Sequence, residues 1–369
     1  MLVTDKMILT AGPSITRREI DYVTDAIING HEEQWGDYLH KFEKDFADYI
    51  GVRHALCTSS CTGAMHLGLV ALGIGKGDEV IIPDLSWIAT ASVVTYVGAT
   101  PVFADVDERS WCINPSSIVR LINKKTKAIM PVHLYGHPSD MITILSIAKK
   151  YNLKVIEDAA PSLGAGIDHR KTGSFGNVAG FSFQGAKLLS TGEGGMVVTD
   201  DSVLFEKIKH YAEHGRSGKG FEISDIGFKY KMSNLQAAWG VAQLERINDL
   251  LEKKRLINSW YREELRGIEG LRLNKVSTEA ETANYWMTSV ILEEDFGISR
   301  DQVMKELNDN MIDTRPFFPP ISSFRMFTGA DNPIAKRLSE NGINLPSAHK
   351  LLKEHVVYVC DCLKSILRV

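Results

Sequence analysis

No run of about 18 apolar residues occurs in the 369-residue sequence, so no transmembrane helix is expected. The first ten residues lack the basic flank and long apolar core of a secretory signal, and a cytoplasmic protein is the default expectation. An excess of either charge is also missing. Lys and Arg number 42 against 46 Asp and Glu, a formal net charge of −4. That balance offers no electrostatic basis for binding nucleic acid or an anionic membrane surface. Cysteine is sparse: Cys57, Cys61, Cys112, Cys360 and Cys362 are an odd number, and their spacings match no zinc pattern. Cys360-Asp-Cys362 lies in an apolar stretch that reads as helix, where residues two apart point in different directions, so reduced structural cysteines are expected. No internal repeat or low-complexity tract is present. Residues 59–66 supply no Gly-x-Gly-x-x-Gly turn after the first expected strand, which argues against a plain Rossmann oxidoreductase.

What is present is an ordinary globular composition, 44% hydrophobic and 24% charged. The length suits two domains or one large α/β unit. The N-terminal region reads as two helices, over about 17–28 and 38–49, with Ser14 or Thr16 as cap of the first and Asn29-Gly30 as its stop. Short β-branched runs then alternate with helical stretches. The runs cover 54–58, 79–83, 101–105, 127–132, 154–158, 179–183 and 196–199. Amphipathic segments at 62–72, 88–96, 116–122 and 142–151 separate the first five. This alternation predicts an α/β fold with a mostly parallel sheet covered by helices, and ligands at the carboxyl ends of its strands. Ser233 caps a long helix from Asn234, in which charges dominate through Lys254. A domain boundary is expected near residue 250. Beyond it come a strand at 285–292 and helices at about 300–307 and 353–367, an α+β pattern.

Five segments can carry chemistry. In Gly180-Phe-Ser-Phe-Gln-Gly-Ala-Lys187, the lysine follows an apolar strand and precedes the glycine-rich Thr191-Gly-Glu-Gly-Gly195. A Schiff-base lysine needs partial burial to lower its pKa, and Ser182 lies within reach of a phosphate. Standing alone, Lys187 reads more simply as a lysine at a strand end. Val155-Ile-Glu-Asp158 ends a buried strand with two acids. One of them can hold a pyridine-type ring nitrogen protonated, and alternation lets only one face a given side. Helix capping by Asp158 is the competing reading. Thr58-Ser-Ser60-Cys61-Thr62-Gly joins a strand to a helix and suits phosphate binding at a helix N-terminus, or simple capping. Trp87 begins the next helix, either to stack on a flat ring or to fill the core. His133 and His137 follow another strand. Gly136 and Pro138 break any helix that would make them a metal pair, so a structural histidine is the simpler reading and substrate contact an alternative.

Taken together, these segments resemble the DegT/DnrJ/StrS family of pyridoxal-phosphate-dependent sugar aminotransferases, in overall look its GDP-perosamine-synthase-like members. The resemblance covers nearly the whole chain. It includes Ala71-Leu-Gly-Ile-Gly-Lys-Gly-Asp-Glu-Val80, Tyr96-Val-Gly-Ala-Thr-Pro-Val-Phe103, His133-Leu-Tyr-Gly-His-Pro138, Met232-Ser-Asn-Leu-Gln-Ala-Ala238, Asp313-Thr-Arg-Pro316 and Gly342-Ile-Asn-Leu-Pro-Ser347. It implies a fold-type I aminotransferase. A large mixed, mostly parallel sheet flanked by helices would occupy residues 1–250, and a smaller α+β domain 251–369. It further implies a homodimer with pyridoxal 5′-phosphate near the interface. By the same resemblance Lys187 carries the cofactor, Asp158 partners its ring nitrogen, and Ser60, Cys61, Thr62 and Ser182 bind its phosphate. Trp87 stacks on the ring, and Asn234 reaches the phosphate from the neighbouring subunit.

Lys187 stands where dehydratase relatives carry histidine, which argues against that chemistry. Three departures bear on the substrate: Cys61 in place of the usual glycine, Pro161 where relatives often have Gln, Glu or His, and the stretch 31–37. The implied reaction moves an amino group from glutamate to a nucleotide-linked keto-deoxysugar. A smaller phosphorylated keto compound is the alternative acceptor, and a PLP-binding regulator without turnover the alternative of another class. Arg315 suits a carboxylate or phosphate of a substrate, or else a surface ion pair.

Overall fold

A computed structural model describes residues 6–30, 34–217, 221–293, 296–327 and 329–369. Two helices open the chain, α1 (Arg17–Ile28) and α2 (Asp37–Ile50). Thr16, not Ser14, caps the first: its N–H and hydroxyl both donate to the Glu19 carboxylate. The alternating region follows as β1 (His54–Thr58), α3 (Cys61–Ala71), β2 (Glu79–Pro83), α4 (Ala89–Tyr96), β3 (Thr100–Ala104), α5 (Pro115–Leu121), β4 (Thr126–Ile129), α6 (Met141–Tyr151) and β5 (Lys154–Asp158). A short hairpin, β6 (Gly166–Ile167) and β7 (Arg170–Lys171), precedes β8 (Val178–Ser182), β9 (Gly195–Thr199) and α7 (Ser202–Ala212).

Seven of these strands form one sheet in the order β1-β9-β8-β5-β4-β2-β3. The five strands from β8 to β3 run parallel, and β9 runs antiparallel to both of its neighbours. The mixed, mostly parallel sheet expected from the sequence is therefore present. Its strands are apolar at successive positions because both faces are covered. In β2, Val80 and Ile82 pack with α3 and α4, while Ile81 between them packs with α5 and α6. Where β9 meets the start of α3, an ideal Cβ on Gly195 would lie 2.3 Å from the Ser60 carbonyl carbon. Only glycine lets the α3 N-terminus sit this close to the sheet.

The long helix expected from Asn234 is two helices, α8 (Asn234–Leu244) and α9 (Ile247–Glu264). Ser233 caps α8 as expected. The α9 helix passes through residue 250 without a break. Its Leu250 and Leu251 pack with α2, α8 and the sheet, while Ile257 and Tyr261 pack in a second core. That second core contains β10 (Leu271–Leu273), β12 (Ser289–Leu292), α10 (Arg300–Asp309), β14 (Gly342–Asn344) and α12 (Lys353–Leu367). A four-stranded antiparallel sheet, β10-β12-β14-β13, adds β13 (Arg315–Pro316), and α11 (Pro333–Asn341) packs beside it. The strand β11 (Glu281–Thr282) pairs with β6. Ile8 bridges Ile312, so the described start of the chain lies with this C-terminal part.

The strand expected at 285–292 begins only at Ser289. Before it, Tyr285 has φ of +50°, and Asn284 is clamped. The Asn284 amide donates to the Pro161 and Leu163 carbonyls, and its Oδ1 accepts from Trp286 N at 2.7 Å. Gly136, with φ of +94°, leaves room for that oxygen; an ideal Cβ there would lie 1.8 Å from it. Gly136→Ala is expected to lower unfolding free energy by about 2 kcal/mol or more, from strain and lost hydrogen bonds. Urea denaturation of the two proteins checks this.

Candidate active site

Strand β5 ends in two acids that face opposite ways. Glu157 is fully buried. Its Oε2 accepts from His133 Nε2 at 2.9 Å and from Gly173 N at 2.8 Å, and its Oε1 from Phe175 N at 2.7 Å and Gly176 N at 2.6 Å. Asp158 faces the other side, where its Oδ2 accepts from the Thr90 hydroxyl at 2.8 Å and its Oδ1 from Ala160 N at 3.2 Å. Glu157 thus anchors loops, and Asp158 is the acid turned toward a cavity.

The substrate-contact reading of His133 gives way to the structural reading weighed beside it. It is completely buried, its Nδ1 accepts from Ser139 N at 3.0 Å and its Nε2 serves Glu157. With both ring nitrogens engaged on the Glu157 side of the strand, it does not line the cavity.

The cavity measures about 990 Å³ and lies at the carboxyl ends of the parallel strands. Lys187 enters it from the turn after β8, its N–H bonded to the Gln184 carbonyl at 2.8 Å. Its Nζ lies 3.7 Å from the centre of the Trp286 ring. Burial lowers the Lys187 pKa to about 8, against the opposing pull of Asp158 and Cys61. Burial likewise pushes the Asp158 carboxyl above its ordinary value, while Thr90, the Ala160 N–H and Lys187 draw it down. An amine poised near neutrality and a carboxylate thus share one wall.

The α3 N-terminus supplies a second wall. Ser60 caps the helix, its Oγ accepting from Gly63 N at 3.1 Å, and Ser60, Cys61 and Thr62 all line the cavity. The cysteine is tolerated because its sulfur packs toward β8: an ideal Cβ on Gly180 would lie 3.1 Å from Cys61 Sγ. Burial pushes its thiol pKa well up, so it is not a ready nucleophile. Ser182 at the end of β8 faces the same space. Trp87 is 60% exposed and lines the cavity, so it is not the core tryptophan that spacing alone suggested. Arg315 also lines it, exposed and 3.5 Å from Asp313. Pro161 is part of the lining; residues 31–33 of the stretch 31–37 lie outside the described residues. Asn234 does not line this chain's cavity. Its amide is shielded from solvent, with no hydrogen-bond partner among the described residues.

These residues fit pyridoxal phosphate. A helix N-terminus with hydroxyls suits its phosphate, Asp158 its ring nitrogen, and the exposed Trp87 face its ring. Lys187 lies on the same cavity wall as Asp158.

Three lining features escaped the sequence reading. Trp286 sits in a segment read as ordinary strand, yet its irregular backbone turns the indole over Lys187. Thr90 steadies Asp158 from α4. The 317–319 loop closes the cavity beside Tyr135, whose hydroxyl accepts from Phe318 N at 3.2 Å. No local pattern marks Trp286, because its backbone is set by Asn284 together with Gly136.

In the cofactor-free protein, acylation of Lys187 is expected to rise with pH through a midpoint of about 8, because burial disfavours its ammonium. Competitive labelling at limiting reagent, read by peptide mass spectrometry, checks this; a midpoint near the ordinary lysine value would refute the burial argument.

Residues 13–364 match the DegT/DnrJ/EryC1/StrS aminotransferase family. The chain is 40% identical over 356 residues to GDP-perosamine synthase of Escherichia coli O157:H7, covering 96% of each chain. It is also 40% identical over 365 residues to GDP-perosamine synthase of Caulobacter vibrioides, covering 98% of each. Helicobacter pylori PseC, an aminotransferase involved in the biosynthesis of pseudoaminic acid, superposes with a TM-score of 0.93 at 25% identity, over 98% of this chain and 100% of that one. The chain belongs to the DegT/DnrJ/EryC1/StrS family and is a pyridoxal-phosphate-dependent aminotransferase of fold type I.

Proposed function

We propose that this aminotransferase moves an amino group from glutamate to a nucleotide-linked keto-deoxysugar, with Lys187 as the catalytic residue. The observation that carries the reading is the meeting of Lys187, Asp158 and the α3 N-terminus in one cavity. Its volume of about 990 Å³ leaves room for a sizeable acceptor beside the cofactor. Relatives at 40% identity are GDP-perosamine synthases, which supports a nucleotide sugar as that acceptor.

When bound, pyridoxal phosphate supplies a ring that draws electrons from the carbon carrying the amino group. The Ser60 and Ser182 hydroxyls and the first N–H groups of α3 would hold its phosphate. Trp87 would cover one face of the ring. Asp158, oriented by Thr90, would hold a proton at the ring nitrogen. Lys187 Nζ would hold the cofactor between turnovers and give up that bond to the donor's amino group. As a free amine, Nζ would take a proton from the nitrogen-bearing carbon of the donor and return one when the acceptor is in place. Arg315, with its fork at the cavity wall, binds a substrate carboxylate or phosphate. Asn234 serves the neighbouring subunit of a homodimer in the cytoplasm; its amide, without a hydrogen-bond partner among the described residues, and its absence from its own cavity support that role.

Spectra of the cofactor-loaded protein test the whole reading. Glutamate is expected to bleach the bound-cofactor band, and a GDP- or TDP-linked 4-keto-6-deoxyhexose to restore it. Restoration by a small keto-phosphate alone would move the substrate class. No response to glutamate would leave a cofactor-binding regulator. Asp158→Asn is expected to lower kcat about 100-fold or more with the cofactor still bound, because the ring loses its charge partner. Arg315→Ala is expected to raise KM for one substrate about tenfold with kcat little changed, as loss of a charged hydrogen-bonding clamp does. Steady-state kinetics on both substrates separate the two outcomes.

A further inference from the structure

Lys254 is a buried lysine that the mechanism above does not use. It lies on α9 with 2% of its surface exposed. No carboxylate among the described residues pairs with it; burial alone moves its pKa, down to about 7. An ammonium out of water without a counter-ion is costly unless its protons are all engaged. Here Nζ donates to two backbone carbonyls, Ser347 O at 2.5 Å and Trp286 O at 3.0 Å. If packing were its role, a methionine of similar length would serve. What distinguishes the amine is that it satisfies two carbonyls that no strand ladder takes.

Both carbonyls belong to segments that build the cavity. Trp286 lies in the irregular stretch ahead of β12, where its indole Nε1 donates to the Ala186 carbonyl at 2.7 Å and its ring lies under Lys187 Nζ. Its backbone is thus tied to α9 through Lys254, and its ring edge to the residue before Lys187. Ser347 accepts from Thr288 N at 2.9 Å through its Oγ, and its own N–H donates to the Thr10 carbonyl at 3.0 Å. Thr10 is itself a lining residue, held by Asp313 beside Arg315.

We propose that Lys254 is a positioning residue for the amino transfer, fixing the Trp286 indole over Lys187 through the Trp286 carbonyl. This rests on the reading of Lys187 as the cofactor-bearing amine. The charged and titratable groups that face Lys187 are Asp158 and Cys61, and neither contacts Lys254. The Lys254 charge is felt by His349, whose pKa burial and Lys254 together lower to about 3. Lys254 therefore acts on Lys187 through Trp286, not through a direct charge.

The test uses three variants, Lys254→Met, Trp286→Leu and the pair together. In each cofactor-free protein, the labelling midpoint of Lys187 is measured by competitive acylation and mass spectrometry. Loss of the indole removes both its exclusion of water and its attraction for the ammonium, so Lys254→Met and Trp286→Leu are each expected to move the midpoint in the same direction by about one unit, tenfold in the protonation equilibrium. The double variant is expected to shift no further than either single one. In the loaded protein, kcat is expected to fall at least about tenfold with KM for the acceptor nearly unchanged. A folded Lys254→Met protein with the wild-type midpoint overturns the proposal, as does an additive double variant. Should Lys254→Met fail to fold, Trp286→Leu decides, and an unmoved midpoint there leaves Lys254 nothing to position. Borohydride reduction of the loaded wild-type protein keeps the two readings apart. Cofactor fixed on a peptide other than that of Lys187 sinks the reading of Lys187 itself, whatever the midpoints show.

Discussion

Glu157 is the interaction on which the rest of the site depends. A carboxylate with no exposed surface must have its lone pairs met, and four donors meet them, three of them backbone N–H groups of the 173–176 loop. The fourth is His133, which is held in turn by Ser139. These bonds fix the loops on either side of β5 and settle which way its last two side chains point. With Glu157 committed to one face, Asp158 is committed to the other, toward the cavity. The same turn that offers His133 carries Gly136, the only residue type that admits the Asn284 amide. Asn284 then sets the backbone ahead of β12, and that backbone places Trp286 against Lys187.

The electrostatics of the cavity follow from burial more than from pairing. Lys187 is drawn down and Asp158 up, each mainly by loss of water, and each partly restored by the other. Such opposed shifts weaken the charged form of each group, where an ion pair in water would favour both charged forms. The neutral amine that covalent chemistry needs is thus available without a dedicated base.

Much of this was legible in the sequence, for identifiable reasons. Strands such as β2 and β5 are buried on both faces, so unbroken apolar runs mark them, and their limits at 79–83 and 154–158 coincide with those expected. The bounds of α1, marked by its caps, and of α12 coincide with those expected. The break between α8 and α9 was not legible, because Glu245 and Arg246 are good helix formers and only the packing turns the chain there. Two-residue strands such as β6, β7 and β11 carry no period to detect. Within the site, Lys187, Ser182 and Asp158 each sit at a strand end with a turn behind, a position that points to ligands in any parallel sheet. His133 stayed open between a structural role and substrate contact, because which way it faces depends on Glu157 at a separation of 24 residues. Trp286 was missed because its direction is set by Asn284 and Gly136 together, a contact of distant segments that no local pattern encodes.

The α9 helix packs its first turns into the core beside the large sheet and its later turns into the C-terminal core. It is a strut common to both. A hinge between the two cores would have to sever helical hydrogen bonds along its length, so the walls of the cavity are set against one another as in a machined fixture rather than a jaw. New acceptors are then accommodated by exchanging side chains on those walls, and Arg315, exposed at the cavity wall, is where such exchange leaves the fixture intact.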